Sequence, residues 1–556
     1  MKNLTLYFIF ISLFISCKNS EERKLKLTEK MIVAGENLIP STPGATPSYW
    51  CTWGAQNYAV DSATIANSTF GIGGHSVIAR NLTEARVFGK EGWAASYKKI
   101  QKDLYLMFDV GWDIPADMNF DDSRWKLGSQ NVATDKFPSC TGTPVEKLKK
   151  LNELTKAAGW KGAGLWIPAH AWQEGKGGKM FSWKELESFF REKAKWANEA
   201  GIEYWKMDYG SRFGDLEFRK LVTKIAKEEA PKLWVEHCIG GGPLNDVECP
   251  WDCEATGSGE FIRWCNGGKL KFAVDQLEFA QVLRTYDVTA YLSVPTTLDR
   301  VAQILNSCAG KNQISGILNC EDEPYIAATL GCMMGIMRHP AFLSQKSYAY
   351  DPLELRKRID EVIRAVRWQR IAPAFGAGLT PMFIDSVRLT DTWAVKKGES
   401  WTTWLYGQTI KQSAPARVSR NMPLPVVKCE GDAPYVIASK HISGAISVAT
   451  LMRHDTIKGF YFPLADVTVS VENYRFPIAA FGRYKSLTLN FQKLPAKFKI
   501  LAQDLAGDIV YDITEMVEKK GNNLTFCGNL IKTVGLSAAT DTDISEAGIV
   551  IKIIEN

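Results

Sequence analysis

Histidine is scarce in this chain, with six in 556 residues, and the six are dispersed. No two have the spacing of metal ligands, which argues against a histidine-built metal centre and weakens a metal-dependent isomerase or lyase. Paired Cys-x-x-Cys motifs are missing among the 12 cysteines, so a zinc framework is not expected. Blocks of one charge are missing as well. The net charge is +6 and the Lys and Arg residues are scattered, so no nucleic-acid partner is expected. Beyond the first residues, no apolar run is long enough to span a bilayer. Internal repeats and low-complexity tracts are lacking too, so the chain is not a repeat array.

What is present begins at the N-terminus. Lys2 supplies a positive charge and residues 4–15 form a short apolar run. The run ends in Leu13-Phe14-Ile15-Ser16-Cys17, which resembles a bacterial lipobox with cleavage before Cys17. That predicts export and lipidation at Cys17, anchoring the chain at the bacterial cell envelope; an ordinary secretory signal is the alternative. The polar stretch 18–30 then reads as a tether. Cys249, Cys253 and Cys265 share one loop, where one disulfide or buried free thiols are both open. The 18 Trp and 18 Tyr residues suit sugar binding, since apolar pyranose faces stack on aromatic rings, although such rings also fill cores.

From about residue 49 to 345, short apolar runs alternate with helical patterns, the signature of βα repeats and a parallel sheet. Eight strands are predicted, at 50–55, 104–108, 162–167, 204–207, 233–237, 282–286, 314–318 and 341–343. Intervening helices are predicted at 144–158, 183–200 and 216–229, with a last one at 353–369. Eight strands over this length fit an α/β fold of the (β/α)8 barrel (TIM barrel) class. Beyond it, alternating stretches at 401–406, 445–452, 486–491, 497–501 and 548–553 predict an antiparallel β-sandwich. The expected division is a signal peptide at 1–16, a tether and lead-in at 17–45, the barrel at 46–378 and the sandwich at 379–556.

Catalytic groups of such barrels lie at the C-terminal ends of the strands. There the chain places Asp109, Trp112 and Asp113 after strand two, and Lys206 and Asp208 at strand four. Glu236, His237 and Cys238 with Gly240-Gly241-Gly242 follow strand five. Arg284 and Asp287 end strand six, and Glu321, Asp322 and Glu323 follow strand seven. Two carboxylates facing each other across a pocket are what glycoside hydrolysis needs, one to attack or activate water and one to protonate the leaving oxygen. A lysine two residues from the attacking carboxylate would hold it ionised.

Trp205-Lys206-Met207-Asp208, Glu236-x-Cys238-x-Gly240-Gly241-Gly242 and Arg284-Thr285-Tyr286-Asp287 resemble motifs of glycoside hydrolase clan D, families 36 and 27. Gly164-Leu165-Trp166-Ile167 and Phe108-Asp109-Val110-Gly111-Trp112 resemble further strands of the same barrels, in the same order. The resemblance implies a retaining, exo-acting α-glycosidase, often an α-galactosidase, acting on terminal sugars of a glycan. It makes Asp208 the nucleophile and Asp287 the acid/base, and it lines the sugar subsite with Asp109, Trp112, Lys206, Cys238 and Gly241. It implies no metal and no organic cofactor. Val110 stands where the family has a second aspartate that grips the sugar, and a valine accepts no hydrogen bond. Pro168, with His170 nearby, replaces a glutamate, and Arg284 replaces a tryptophan, so a sugar other than galactose is an open alternative.

For other residues two readings stand. His170 and His237 either touch substrate or pack, and His75, His339, His441 and His454 are structural or surface. Trp53 is a stacking platform or core. The acidic run 321–323 caps a helix or binds a hydroxyl or cation. The triple glycine lacks the Lys-Ser/Thr of a phosphate loop, so close approach to a sugar is expected instead. The competing function is a non-catalytic carbohydrate-binding surface protein on a degenerate barrel. The oligomeric state is not readable, and the sandwich either binds glycan or buttresses the barrel, the latter being expected.

Overall fold

The computed structural model describes residues 26–58, 74–118, 127–174, 178–212, 214–238, 268–285, 293–340, 358–394 and 409–555. Eight strands run parallel: β1 (Tyr49–Cys51), β2 (Tyr105–Phe108), β3 (Gly162–Ile167), β4 (Tyr204–Met207), β5 (Trp234–Cys238), β6 (Val282–Arg284), β7 (Ile317–Asn319) and β8 (Gly335–Ile336). Each pairs with its sequence neighbour, and β8 pairs with β1. One parallel bridge, Asn319 to Met333, joins β7 to the segment leading into β8 and closes the circle. The fold is a (β/α)8 barrel followed by mostly antiparallel sheets.

Helices separate the strands because their sequences punctuate well. Pro144–Ala157 and Trp183–Ala200 each begin with a capping box, Thr143 with Glu146 and Ser182 with Glu185. Each reciprocal pair satisfies two N–H groups that the first turn would orphan, an effect of about 1 kcal/mol. Trp183–Ala200 ends at Gly201, whose φ of 68° suits a residue without Cβ.

Two strand expectations are corrected. β1 is only Tyr49–Cys51, and Trp53 opens a helix, Trp53–Tyr58, instead of lying on the strand. The eighth strand is Gly335–Ile336, not 341–343, which lies outside the described residues. It hides in the run Cys332-Met-Met-Gly-Ile-Met337, whose even hydrophobicity shows no period. Gly335 is required there, since a Cβ would meet the Tyr49 hydroxyl at 2.5 Å. The last helix is described as Ile359–Gln369, and the start expected at 353 lies outside the described residues.

The C-terminal region stacks an eight-stranded sheet on a five-stranded one. Most pairings are antiparallel, but Arg417–Arg420 with Tyr435–Lys440, Ile446–Leu451 with Ile478–Phe481, and Asp466–Val471 with Ser486–Phe491 are parallel. The larger sheet is buried on both faces. Val436, Ala438, Ile446, Val448, Ile478 and Ala480 point into the sandwich core. Their neighbours Tyr435, Ile437, Ala449, Ala479 and Phe481 point the other way and join the barrel's core. Strand alternation thus glues the sandwich to the barrel, which is the buttressing role expected. At that seam Arg364 on Ile359–Gln369 pairs with Asp504 at 2.9 Å, both side chains buried.

The lead-in is less tether-like than expected at its end. Leu27 and Met31 pack on the sandwich core, Ile32 bridges to Tyr511, and Val33 N–H donates to the Val510 carbonyl at 2.9 Å. Cys17 lies outside the described residues, as do Cys249, Cys253 and Cys265. Among the described residues the cysteines are free thiols, and no helix is long and apolar enough to cross a membrane.

Candidate active site

Alternation along each strand decides which side chains enter the barrel. Trp205 and Met207 of β4 face the surrounding helices, so Tyr204, Lys206 and, just past the strand, Asp208 face inward. The same parity directs Tyr49 and Cys51, Asp109, Trp166, Glu236 and Cys238, Arg284, and Asn319 and Glu321 inward. The floor is aromatic and apolar, built from Tyr49, Tyr105, Tyr204, Val282, Ile317 and Met333. Above it the interior turns ionic.

Asp208 is the centre of this upper layer. Its Oδ2 accepts from Arg284 Nη2 at 2.8 Å and from the Trp166 indole N–H at 3.1 Å. Its Oδ1 accepts from the Cys238 thiol at 3.2 Å. Its side chain keeps 16% of its surface exposed, whereas Arg284, Lys206, Asp109, Glu236 and Glu321 are buried. Burial by itself would raise its pKa. The charges of Arg284 and Lys206, with the hydrogen bonds from Arg284 and Cys238, outweigh that and hold the carboxyl well below the usual range. A thiol is a weak donor, so Oδ1 is the less committed oxygen of a carboxylate that stays ionised.

Lys206 makes different contacts from those expected. Its ammonium donates to Asp109 Oδ2 at 2.7 Å and lies 3.6 Å from Cys51 Sγ, so it acts on Asp208 only through its field. Burial disfavours its charge, but Asp109 and Cys51 overcome this and keep it protonated. Asp109 also accepts from the Cys51 thiol at 3.0 Å and from its neighbour Val110 N–H at 2.9 Å.

Below lies a buried support. Glu236 accepts from Tyr204 at 2.8 Å, Asn319 at 2.8 Å and Tyr49 at 3.1 Å, and stands 3.5 Å from Arg284 Nε. Glu321 Oε1 lies 3.2 Å from Arg284 Nη1 and 3.9 Å from Lys206. Burial pushes Glu321 up to about 7 even though both cations pull it down. Glu236 is raised by the same burial against Arg284, Lys206 and its hydrogen bonds. Glu321 therefore does not cap the next helix; the residue at that cap is Glu323, which makes no side-chain cap bond.

The structure brings Asp109, Lys206, Asp208, Cys238 and Arg284 together and leaves other candidates apart. Trp112 is fully buried in the main core and spends its indole N–H on the Trp166 carbonyl at 2.9 Å. It braces Trp166 from behind. His237 faces the helices, between Arg219 at 3.1 Å and Thr223 at 2.7 Å. His170 is buried, and burial pushes it down to about 4, so it is neutral at pH 7. Trp53 is half-buried against both inner apolar clusters. Val110 lies in one of these, with Ile114, Met118, Leu127 and Trp166. Gly241 and Asp287 lie outside the described residues. The chain leading to Asp287 is pinned at Thr285, whose carbonyl accepts from Arg300 at 2.6 Å and whose hydroxyl donates to the Asn319 carbonyl at 3.0 Å. Among the described residues no three His, Cys, Asp or Glu side chains are grouped to hold a metal ion. Cys51 was missed, and Trp166, Glu236 and Glu321, though seen on the strands or at their ends, were not assigned to the sugar site; counting inward positions by twos along each strand points to all four.

No protein-family description matches the chain, and no curated protein matches it. Among solved structures it is similar to a family 27 β-L-arabinopyranosidase from Geobacillus stearothermophilus, at 10% identity over 92% of this chain and 96% of that one, TM-score 0.39. It is similar to a putative α-N-acetylgalactosaminidase from Bacillus halodurans, at 10% identity over 95% and 100% of the chains, TM-score 0.40. It is similar to an α-amylase from Geobacillus thermoleovorans, solved with acarbose, at 9% identity over 93% and 100%, TM-score 0.39. Matches this distant carry no weight for the chemistry.

Proposed function

We propose that the chain is a glycoside hydrolase that removes terminal α-linked sugars by double displacement. The observation that carries the reading is Asp208. It is an ionised carboxylate at the barrel mouth, fixed by three donors from three strands, and the partly exposed member of an otherwise buried charged cluster. Asp208 Oδ1 attacks the anomeric carbon and forms a glycosyl-enzyme ester. Asp287 first protonates the departing oxygen and then takes a proton from the water that cleaves the ester. Trp166, Cys238 and Arg284 orient the nucleophile; Arg284 also stabilises the carboxylate when it is released again. Galactose is one candidate sugar; the apolar cluster around Val110 favours one that needs no acceptor there. We also propose that the protein is exported and anchored through a lipid on Cys17, where it meets glycans at the cell envelope.

The test is hydrolysis of a panel of p-nitrophenyl α- and β-glycosides by wild type, Asp208→Asn and Asp287→Asn. Release from one α-glycoside, abolished in both variants, with the α-anomer as first product by NMR, is the expected result. Inversion at the anomeric carbon, or full activity in Asp208→Asn, overturns the mechanism. Cys17→Ala should move the protein from the membrane to the soluble fraction of the envelope.

A further inference from the structure

Beside Asp208 the rim carries aromatic rings that bond cleavage itself does not use. Tyr209 follows Asp208 directly and is 58% exposed. Trp183, the first residue of the helix Trp183–Ala200, is 50% exposed, and Met180 near it is exposed too. Large apolar side chains gathered at the mouth of a polar site mark a binding surface more often than chance exposure does.

The backbone beneath these rings is braced. Ala169 N–H donates to the Tyr209 carbonyl at 2.9 Å, and Arg212 N–H donates back to the Ala169 carbonyl at 2.9 Å. The Arg212 guanidinium pairs with buried Glu174 at 3.1 Å and stands 5.3 Å from the centre of the Trp183 ring. Glu174 also accepts from Phe181 N–H at 2.7 Å. The segments after β3 and after β4 are therefore tied into one unit before a ligand arrives, which spares ordering entropy on binding.

Burial gives the direction. Arg284, Glu236 and Glu321 lie deepest, Asp208 is partly open, and Tyr209 is outermost. A sugar reacting at Asp208 takes the inner place, and whatever it is attached to leaves past Tyr209. We propose that Tyr209 and Trp183 form a stacking platform for the sugar units on the leaving-group side of the bond. The substrate is then an oligosaccharide or polysaccharide, not a glycoside with a small aglycone. The C–H groups on a pyranose face are electropositive and meet the electronegative face of an aromatic ring. The inference rests on the proposed site only for where the reacting sugar sits.

The experiment is binding of the full chain to an array of defined neutral oligosaccharides, with cleavage followed on the same glycans. Asp208→Asn should bind at least one glycan. In that background, Tyr209→Ala and Trp183→Ala should each weaken binding about tenfold, and Tyr209→Phe, which keeps the ring, should restore it. Both residues are exposed, so unchanged circular dichroism and Tm are expected. Binding by the alanine variants equal to that of Asp208→Asn, or no array glycan bound by Asp208→Asn, overturns the platform. Glycans bound with ring dependence but not cleaved by wild type would leave the platform standing and remove the hydrolase reading.

Discussion

Arg284 Nη2 lies 2.8 Å from Asp208 Oδ2, and the same guanidinium reaches Glu321 at 3.2 Å and Glu236 at 3.5 Å. One buried cation thus holds the partly exposed carboxylate ionised and faces two buried carboxyl groups whose burial opposes it. Arg284→Met removes the largest effect that opposes burial at Asp208, so the Asp208 pKa rises toward the carboxylate range. An acidic limb in kcat/KM, out of reach in the wild type, should then appear at about pH 4. The variant also takes the guanidinium away from Glu236 and Glu321, and its unfolding free energy at pH 7 should fall by about 3–5 kcal/mol in urea titrations. A wild-type acid profile with intact stability would show that Arg284 does not govern the site.

Cys238 offers a milder change on the other oxygen. Burial raises its pKa and Asp208 raises it further, so the group is a thiol and the donor of its 3.2 Å contact to Oδ1. Cys238→Ala removes one orientation constraint and no charge. We expect kcat to fall about fivefold with KM little changed, since a net hydrogen bond is worth about 1 kcal/mol. Cys238→Ser should recover part of the loss. A change confined to KM would mean that Cys238 touches the sugar instead of orienting the nucleophile.

Much of this arrangement was legible in the sequence where periodicity is strong. β3, β4 and the helices Trp183–Ala200 and Leu216–Glu229 lie where apolar spacing predicts them. β8 was misplaced because two residues inside an even apolar run carry no periodic signal. Lys206, Asp208, Cys238 and Arg284 were found from strand ends. His237 had two open readings because strand ends alone do not tell inward from outward; one residue of parity sends it to Arg219 and Thr223, the packed alternative. That same parity turns Glu236 and Trp166 inward. Which cation touches Asp208 was not legible, because it depends on side-chain reach across the barrel: Lys206, nearest in sequence, is drawn to Asp109, and Arg284 arrives from two strands away.

The seam between barrel and sandwich yields a prediction remote from the site. Arg364 Nε donates to Asp504 Oδ1 at 2.9 Å and Nη2 to Oδ2 at 3.2 Å, a forked pair with both side chains buried. Asp504 also accepts from Ala506 N–H at 2.8 Å and Ala538 N–H at 3.0 Å. Asp504→Asn keeps the shape but leaves a buried guanidinium without its counter-charge. Stability should drop by about 3 kcal/mol, read from the urea midpoint. Activity per folded molecule should not change. Loss of activity at full occupancy of the folded state would mean that the sandwich does more than buttress.

Glu321 carries a pH signature whose sign can be worked out. Its folded-state pKa is pushed up to about 7 from an ordinary 4.5, chiefly by burial. Between those values the native state holds a proton that the unfolded chain has released. Stability contributed by this group is therefore fully present below about pH 4.5 and is lost as pH rises toward about 7. Glu321→Gln has no such titration. The Tm difference, variant minus wild type, should become more favourable to the variant as pH is raised from about 5 to about 7, and should then level off. The neutral amide still faces Arg284 and Lys206, so the variant's absolute Tm reports the lost ion pairs, and only the slope with pH reports the proton. A Tm difference independent of pH would mean that Glu321 stays ionised throughout, and the two cations would then outweigh burial at the barrel centre.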